Sequence, residues 1–208
     1  MWDTRYSEDG FAYGTEPNKF LQETLPTLQL PTTGAKCLFL AEGEGRNAVY
    51  MAQQGHVVTG VDSSAVGLRK AQDLATSRNV QITTQVVDLA DYDFGTEQWD
   101  AIVGIFCHVP PPIRTRMLAA IPAALKPGGY AIFECYTPRQ LEFKTGGPPS
   151  AAPMYSAEIF QTAFGNEDGQ PLLEIIRNEE VTREVVEGKY HTGKAAVAQF
   201  IGRKKAVA

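Results

Sequence analysis

The chain is short of cysteine, histidine and basic charge, and it has no long apolar run. Its three cysteines, Cys37, Cys107 and Cys135, each sit inside an apolar, strand-like stretch. An odd and scattered set argues against a disulfide framework and fits a reducing compartment. No two of them have the spacing of a zinc site. No stretch approaches the roughly 18 to 20 apolar residues of a membrane-spanning helix. The opening Met1-Trp2-Asp3-Thr4-Arg5-Tyr6 begins no apolar signal core. The expectation is a cytoplasmic protein with no membrane partner. Nineteen Lys and Arg against twenty-four Asp and Glu give a net charge of −5. That disfavours nucleic acid, whose binding rests on clustered positive charge. The one basic cluster, Arg203-Lys204-Lys205, reads as a solvated tail.

What is present is ordinary in bulk and specific in pattern. A hydrophobic share of 43% and a charged share of 21% over 208 residues suit one soluble domain with a core that needs no staples. Chemistry concentrates between Cys37 and Asp62. Cys37-Leu38-Phe39-Leu40-Ala41 reads as a strand, and Glu42-Gly43-Glu44-Gly45-Arg46-Asn47-Ala48 as a glycine turn. A helix then runs to about Gln54, a second strand covers Val57–Val61, and Asp62 ends it. This is half of a nucleotide-binding βαβ unit, whose closing acid can accept from two ribose hydroxyls.

Gly43, Gly45 and Ala48 satisfy the dinucleotide pattern G-x-G-x-x-G/A, so a nicotinamide site has to be weighed. Glu42 and Glu44 favour a different ligand. Two carboxylates repel a pyrophosphate, and they attract a cofactor with an ammonium and a sulfonium, as in S-adenosylmethionine. The plain alternative is an empty glycine turn in an α/β domain.

Along the rest of the chain, residues 1–16 carry Trp2, Tyr6, Phe11 and Tyr13 without a clear period. They read as a lid over a ligand crevice or as a segment docked on the core. Pro17 suits the first turn of a helix with Phe20, Leu21 and Leu25 on one face. Ser63-Ser64 caps a helix over Ala65–Ser77. Ile82–Val87 is a third strand leading to Asp88-Leu89. A fourth strand lies within Trp99–Phe106, and Pro110-Pro111-Pro112 opens a helix to about Leu125. Lys126-Pro127-Gly128-Gly129 is a turn before a fifth strand over Tyr130–Cys135. A Gly- and Pro-rich connection covers 138–155, a length often tied to function. A short helix over Tyr155–Phe164 and two strands near Leu172–Val186 and Ala195–Ile201, joined by Glu187–Gly193, complete the pattern. The predicted fold is α/β: a Rossmann-like doubly wound sheet, mostly parallel, with an antiparallel C-terminal hairpin at its edge. Ligands of such sheets lie beyond the carboxyl ends of the strands, here at Glu42, Asp62, Asp88, Phe106-Cys107-His108 and Glu134-Cys135-Tyr136.

Three signals in order, Leu40-Ala41-Glu42-Gly43-Glu44-Gly45, Gly60-Val61-Asp62 and Leu125-Lys126-Pro127-Gly128-Gly129, resemble class I S-adenosylmethionine-dependent methyltransferases over residues 36–135. The opening Trp2-Asp3-Thr4-Arg5-Tyr6, with Tyr13-Gly14-Thr15-Glu16-Pro17-Asn18, is similar to the TehB-like and thiopurine-methyltransferase-like small-molecule branch. The resemblance implies one methyltransferase domain over 1–208. It would hold a lid and helix (1–30), a cofactor-binding core (36–135), and a substrate-side loop with the terminal hairpin (136–208). It implies S-adenosyl-L-methionine as cofactor and S-adenosyl-L-homocysteine as product. Glu42, Gly43, Glu44 and Gly45 would line the methionine end, with Asn47 where the family often has a third glycine. Asp62 would hold the ribose and Ser63 would lie beside the adenine. Asp88 would accept from the adenine amino group, Leu89 would pack on the ring, and Phe106 would pass the methionine moiety.

Methyl transfer from a sulfonium is an in-line displacement governed by alignment, and a base is needed only where the acceptor keeps its proton. A thiol ionises in part near neutrality and an alcohol does not. His108, after the fourth strand, is the first candidate base, and a capping or surface role is its alternative. His191, beside Tyr190 in the hairpin loop, could reach the crevice mouth, although a solvated turn is its plainer reading. His56 falls at the wrong end of the sheet. Arg5 and Arg139 are candidate anchors for an anion. Tyr13, Tyr136 and Tyr155 could shape a pocket or fill core. Cys107 reads as a small buried hydrophobe, and Glu134 as an acid, a base or a backbone partner. The expected activity is methyl transfer to a small soft nucleophile: a thiol, sulfide, or a selenium or tellurium species. The alternatives are O- or N-methylation of a small metabolite, and a non-catalytic S-adenosylmethionine-binding protein. The partner is a small-molecule substrate, and the assembly a monomer or homodimer.

Overall fold

In a computed structural model the apolar runs of the sequence become the inner strands of a seven-stranded sheet. The structure describes residues 2–165 and 171–206. The elements in chain order are α1 (Trp2–Tyr6), α2 (Lys19–Thr24), β1 (Lys36–Leu40), α3 (Arg46–Gln53), β2 (Val57–Asp62), α4 (Ala65–Ser77) and β3 (Thr83–Val86). There follow β4 (Trp99–Ile105), α5 (Pro111–Ala124), β5 (Leu125–Tyr136), α6 (Gln140–Phe143), α7 (Ala157–Phe164), β6 (Glu174–Glu187) and β7 (His191–Arg203). No helix among the described residues is long and apolar enough to cross a membrane.

The strand order is β3-β2-β1-β4-β5-β7-β6. β1 to β5 are parallel, and β7 runs antiparallel to both β5 and β6. Side chains alternate between the two faces of a strand. Leu38 and Leu40 therefore join the core beneath α5 and α7, while Cys37 and Phe39 join the core beneath α2 and α3. Burial on both faces explains why β1, β4 and β5 read as continuous apolar runs. Ser64 accepts from Gly67 N at 3.0 Å and starts α4 where the sequence marks it. The strand order reverses between β1 and β4, which opens a crevice beyond their carboxyl ends.

Several expectations change. Residues 2–6 form a short helix. Pro17 stands outside α2, whose cap is Asn18, with Oδ1 accepting from Leu21 N at 3.0 Å. The Lys126–Gly129 turn lies inside β5, where the register with β4 shifts. There Gly128 N donates to Lys204 O and Lys204 N donates to Gly129 O. Lys204 is therefore no solvated tail: its Nζ also donates to Leu125 O at 2.7 Å. The hairpin is more than an edge, since β7 lies inside the sheet and only β6 is outermost.

Candidate active site

A cavity of about 610 Å³ lies at the carboxyl ends of β1 to β4, within the usual range for small-molecule sites. Its floor is the predicted row of strand ends: Ala41 and Glu42, Asp62 and Ser63, Asp88 and Leu89, Phe106 and His108. Ala41 (φ 51°) and Phe106 (φ 52°), ending the two central strands, both hold positive φ. Such strain in non-glycine residues persists where surrounding structure imposes it, often at functional sites. It is fixed at Phe106 by a 2.7 Å bond from its N–H to Glu134 O.

One end of the cavity is acidic. Glu42 Oε1 accepts from Asn47 N (3.1 Å) and Ala48 N (2.8 Å), closing the first turn of α3. Burial pushes its carboxyl up to about 7. Asp62 accepts from Gly43 N at 2.9 Å and Ser64 N at 2.8 Å, and burial still raises its pKa above the ordinary carboxylate range. Each carboxylate keeps lone pairs for a ligand. Asp88 is exposed, with Oδ1 accepting from Ala90 N at 2.8 Å.

Glu44 departs from the electrostatic expectation. Although it borders the cavity, its carboxylate accepts from Ala12 N at 2.7 Å and from Lys70 Nζ at 2.9 Å. Its charge is matched, and it ties the N-terminal segment to α4. The acidic end therefore rests on Glu42, Asp62 and Asp88 rather than on a Glu42–Glu44 pair. Gly43 and Gly45, by contrast, do not border the cavity. A Cβ on Gly43 would lie 2.5 Å from Tyr6 OH, and one on Gly45 2.5 Å from Ala71 Cβ. These glycines admit the N-terminal segment and the α3–α4 contact. Asn47 does border the cavity, and its Oδ1 accepts from Asn18 N at 2.9 Å.

The other end is aromatic and basic. Residues 2–18 cross the cavity, and Trp2, Arg5, Tyr6 and Tyr13 form part of its wall. Ser64 donates to Asp3, Lys70 Nζ donates to Gly10 O at 2.6 Å, and Tyr190 OH donates to Glu8 at 2.7 Å. The Gly- and Pro-rich connection also borders the cavity, from Gly146 to Pro153.

His191 is not the solvated turn residue that its hairpin position suggests. The turn is only Gly188–Tyr190, and Lys189 N donates to Ala12 O at 2.9 Å. That docking places His191, first residue of β7, at 8% exposure. Its ring lies 4.4 Å from Tyr13 and 4.5 Å from Phe106. Burial, then the charges of Arg46, His108 and Arg5, hold its pKa well below the ordinary histidine range. His108 also borders the cavity. Its Nε2 accepts from Tyr136 N at 2.9 Å, and burial takes its pKa down to about 4. Arg5 Nη1 donates to Tyr13 OH at 2.9 Å.

Other candidates stand apart. Arg139 is exposed near Glu142. Tyr155 is buried in the main core, and Tyr136 packs behind Phe106 at 4.5 Å. Cys107 is buried with its thiol pushed up to about 12. Glu134 is neither a free acid nor a backbone partner: it bonds Arg183 Nε (2.9 Å), Asn18 Nδ2 (2.7 Å) and Gln199 Nε2 (2.6 Å). Sequence reasoning missed Arg46, which borders the cavity and pairs with buried Glu187 at 2.6 Å. It also missed Asn18, whose Nδ2 reaches both Glu134 and Glu187.

Acids at one end that can hold a cation and hydroxyls, with an apolar shelf at Leu89 and Phe106 for a flat ring, fit the charge and shape of S-adenosylmethionine. The model of a methyltransferase domain matches residues 38–129. An uncharacterized methyltransferase of Synechocystis is 32% identical over 159 residues, spanning 74% of this chain and 68% of the relative. Solved structures share the fold at low identity. TehB of Haemophilus influenzae has a TM-score of 0.70 at 17% identity, covering 98% of this chain and 66% of its own. A SAM-dependent methyltransferase of Methanosarcina mazei has a TM-score of 0.69 at 16% identity, covering 92% of this chain and 100% of its own. With a sequence relative across most of its length and the domain model over its cofactor-side strands, the chain belongs to the class I S-adenosylmethionine-dependent methyltransferases.

Proposed function

We propose that the protein binds S-adenosylmethionine and methylates a small soft nucleophile in the cytoplasm: a thiol, sulfide, or a selenium or tellurium species. Asp62 and Ser63 would hold the ribose, Asp88 and Leu89 the adenine, and Glu42 and Asn47 the methionine end, with Phe106 alongside. The chemistry supplied by the bound cofactor is an electrophilic methyl group on a cationic sulfur, S-adenosylhomocysteine being the product. The residues of the chain orient the acceptor and exclude water, the latter through the segment crossing the cavity.

The observation that carries the acceptor class is the state of the two cavity histidines. His108 has a pKa near 4 and its Nε2 lone pair taken by Tyr136 N, and His191 is held well below its ordinary value. Bases this weak take little part in deprotonating an alcohol, whereas an acceptor that ionises unaided needs none. The three cysteines, all free and buried, suit a reducing compartment.

A second reading rests on Glu42. A carboxyl at about 7 on the cavity wall is suited to general-base work on an O–H or N–H acceptor. The two readings separate in a panel of thiols, sulfide, selenium and tellurium species, phenols and amines, with methylated products measured by mass spectrometry. Methylation of sulfur or its heavier relatives, with His108→Ala keeping turnover within about tenfold of wild type, is the expected result. Products confined to oxygen or nitrogen acceptors, with kcat at saturating cofactor falling about a hundredfold or more in Glu42→Gln, overturn it. Cofactor binding by calorimetry with no product across the panel identifies a non-catalytic binder.

A further inference from the structure

Two guanidinium groups border the cavity, and only one of them is neutralised. Arg46 is paired with buried Glu187. Arg5 forms no salt bridge among the described residues. Of the acids in its own segment, Asp3 accepts from Ser64, Glu8 is occupied by Tyr190 OH (2.7 Å) and Lys189 Nζ (3.4 Å), and Glu16 pairs with Arg78. A guanidinium carries several donors in a planar fork, and Arg5 uses one of them, on Tyr13 OH. Its Cζ lies 4.6 Å from the Tyr190 ring centroid and 5.4 Å from that of Trp2. The head group is thus fixed by aromatic rings, which orient it and thin the water around it.

We infer that Arg5 is the docking point for a negative charge on the methyl acceptor, and that the preferred acceptor is an anion such as a mercapto-carboxylate. This deepens the methyl-transfer reading of the same cavity and rests on it. The cavity is divided electrically. Glu42, Asp62 and Asp88 stand at the ends of β1 to β3, where a cationic donor is attracted, and Arg5 stands with Tyr13, Tyr190 and His191 at the start of β7. A carboxylate accepts two parallel bonds from an arginine fork, an arrangement stronger and more directional than a neutral hydrogen bond. The donor has a carboxylate of its own, and Arg46, opening α3 on the same cavity wall, offers it a second guanidinium within the Glu187 pair. Because Arg5 belongs to the segment that crosses the cavity, an anion bound there also bridges that segment to the acceptor.

The test uses matched acceptors, 3-mercaptopropionate against 2-mercaptoethanol, and a carboxylated against an uncharged phenol, on the wild-type protein, Arg5→Gln and Arg5→Lys. The wild type is expected to favour the charged member in kcat/KM by about 10- to 100-fold. Arg5→Gln should reduce that ratio to within about twofold, and Arg5→Lys, which keeps charge without the fork, should fall between. A second readout needs no turnover: calorimetry with the product S-methyl-3-mercaptopropionate should show wild-type binding that Arg5→Gln weakens by a similar factor. If Arg5→Gln does not fold, the wild-type preference for the carboxylated product over its alcohol decides the matter. An unchanged ratio in Arg5→Gln overturns the inference. So does an effect confined to the KM for the donor, which gives Arg5 to the donor's carboxylate. Methylation of thiols without a charge preference leaves the soft-acceptor reading standing and removes this one. Methylation of phenols alone, with a preference that Arg5→Gln abolishes, does the reverse.

Discussion

At the ends of β1 and β2 the acids of the site bond backbone that is near them in sequence. Glu42 and Ala48 are 6 residues apart, Asp62 and Ser64 are 2, and Asp62 and Gly43 are 19. At the ends of β5, β6 and β7 the polar side chains bond partners far away. Asn18 reaches Glu134 across 116 residues and Glu187 across 169, Arg46 reaches Glu187 across 141, and Tyr190 reaches Glu8 across 182. The first half of the cavity is built by a local motif and the second by long-range closure. Polar atoms in the first half can turn outward to a ligand, while those in the second mostly satisfy one another and hold the N-terminal segment in place.

Substitutions should separate the two halves. The largest effect is expected at Glu134. Glu134→Ala leaves Arg183 with only the longer pair to Glu187 (3.5 Å) and takes one partner each from Asn18 and Gln199. Breaking a buried pair from one side costs about 3–5 kcal/mol, read as a lower denaturation midpoint. A loss below about 1 kcal/mol would mean that this network does not hold the second half together.

Asp62→Ala should do the opposite. Folding stability should fall by less than in Glu134→Ala, by about 1–2 kcal/mol, since burial already disfavours the Asp62 charge while Gly43 N and Ser64 N lose their acceptor. Affinity for S-adenosylmethionine should fall by about 2–3 kcal/mol through loss of charged hydrogen bonds, as measured by calorimetry. A large stability loss with unchanged affinity would erase the contrast between the halves.

The smallest effect is in pH. Glu42 holds its proton up to about 7 in the fold, against an ordinary value of 4.5. A carboxyl raised in this way favours the folded state most below the ordinary value, and that contribution declines as pH rises through the folded value. Ligand binding runs the other way, because only the ionised form attracts a cation. Cofactor affinity should tighten by up to about tenfold between about pH 6 and about pH 8 and be flat in Glu42→Gln. The same slope in both proteins would give the titration to another group.

Legibility in the sequence follows the same division. Ser64 marked the start of α4, and the run of strand ends from Glu42 to His108 mapped the cavity floor. Each of these rests on neighbours within a turn or a strand. Glu44 borders the cavity as its place in the glycine turn suggests, but the partners that match its charge, Ala12 N and Lys70, come from two other elements and leave no local mark. His191 sits beside a turn in sequence, yet it is buried because that turn docks under the N-terminal segment. Arg46 and Asn18 carry no local signal, since their partners Glu187 and Glu134 lie more than a hundred residues away.

The sequence by itself determined the alternation of strands and helices, the glycine turn, and the acids at the ends of β1 to β3. Periodicity, caps and tight turns are decided by residues a few positions apart. Only the tertiary structure decided which carboxylate keeps an unmatched charge, which histidine is buried, and that Arg5 faces the cavity with no salt bridge among the described residues. Charge pairing and desolvation depend on what the folded chain brings to within a few ångströms, and spacing along the chain does not encode that.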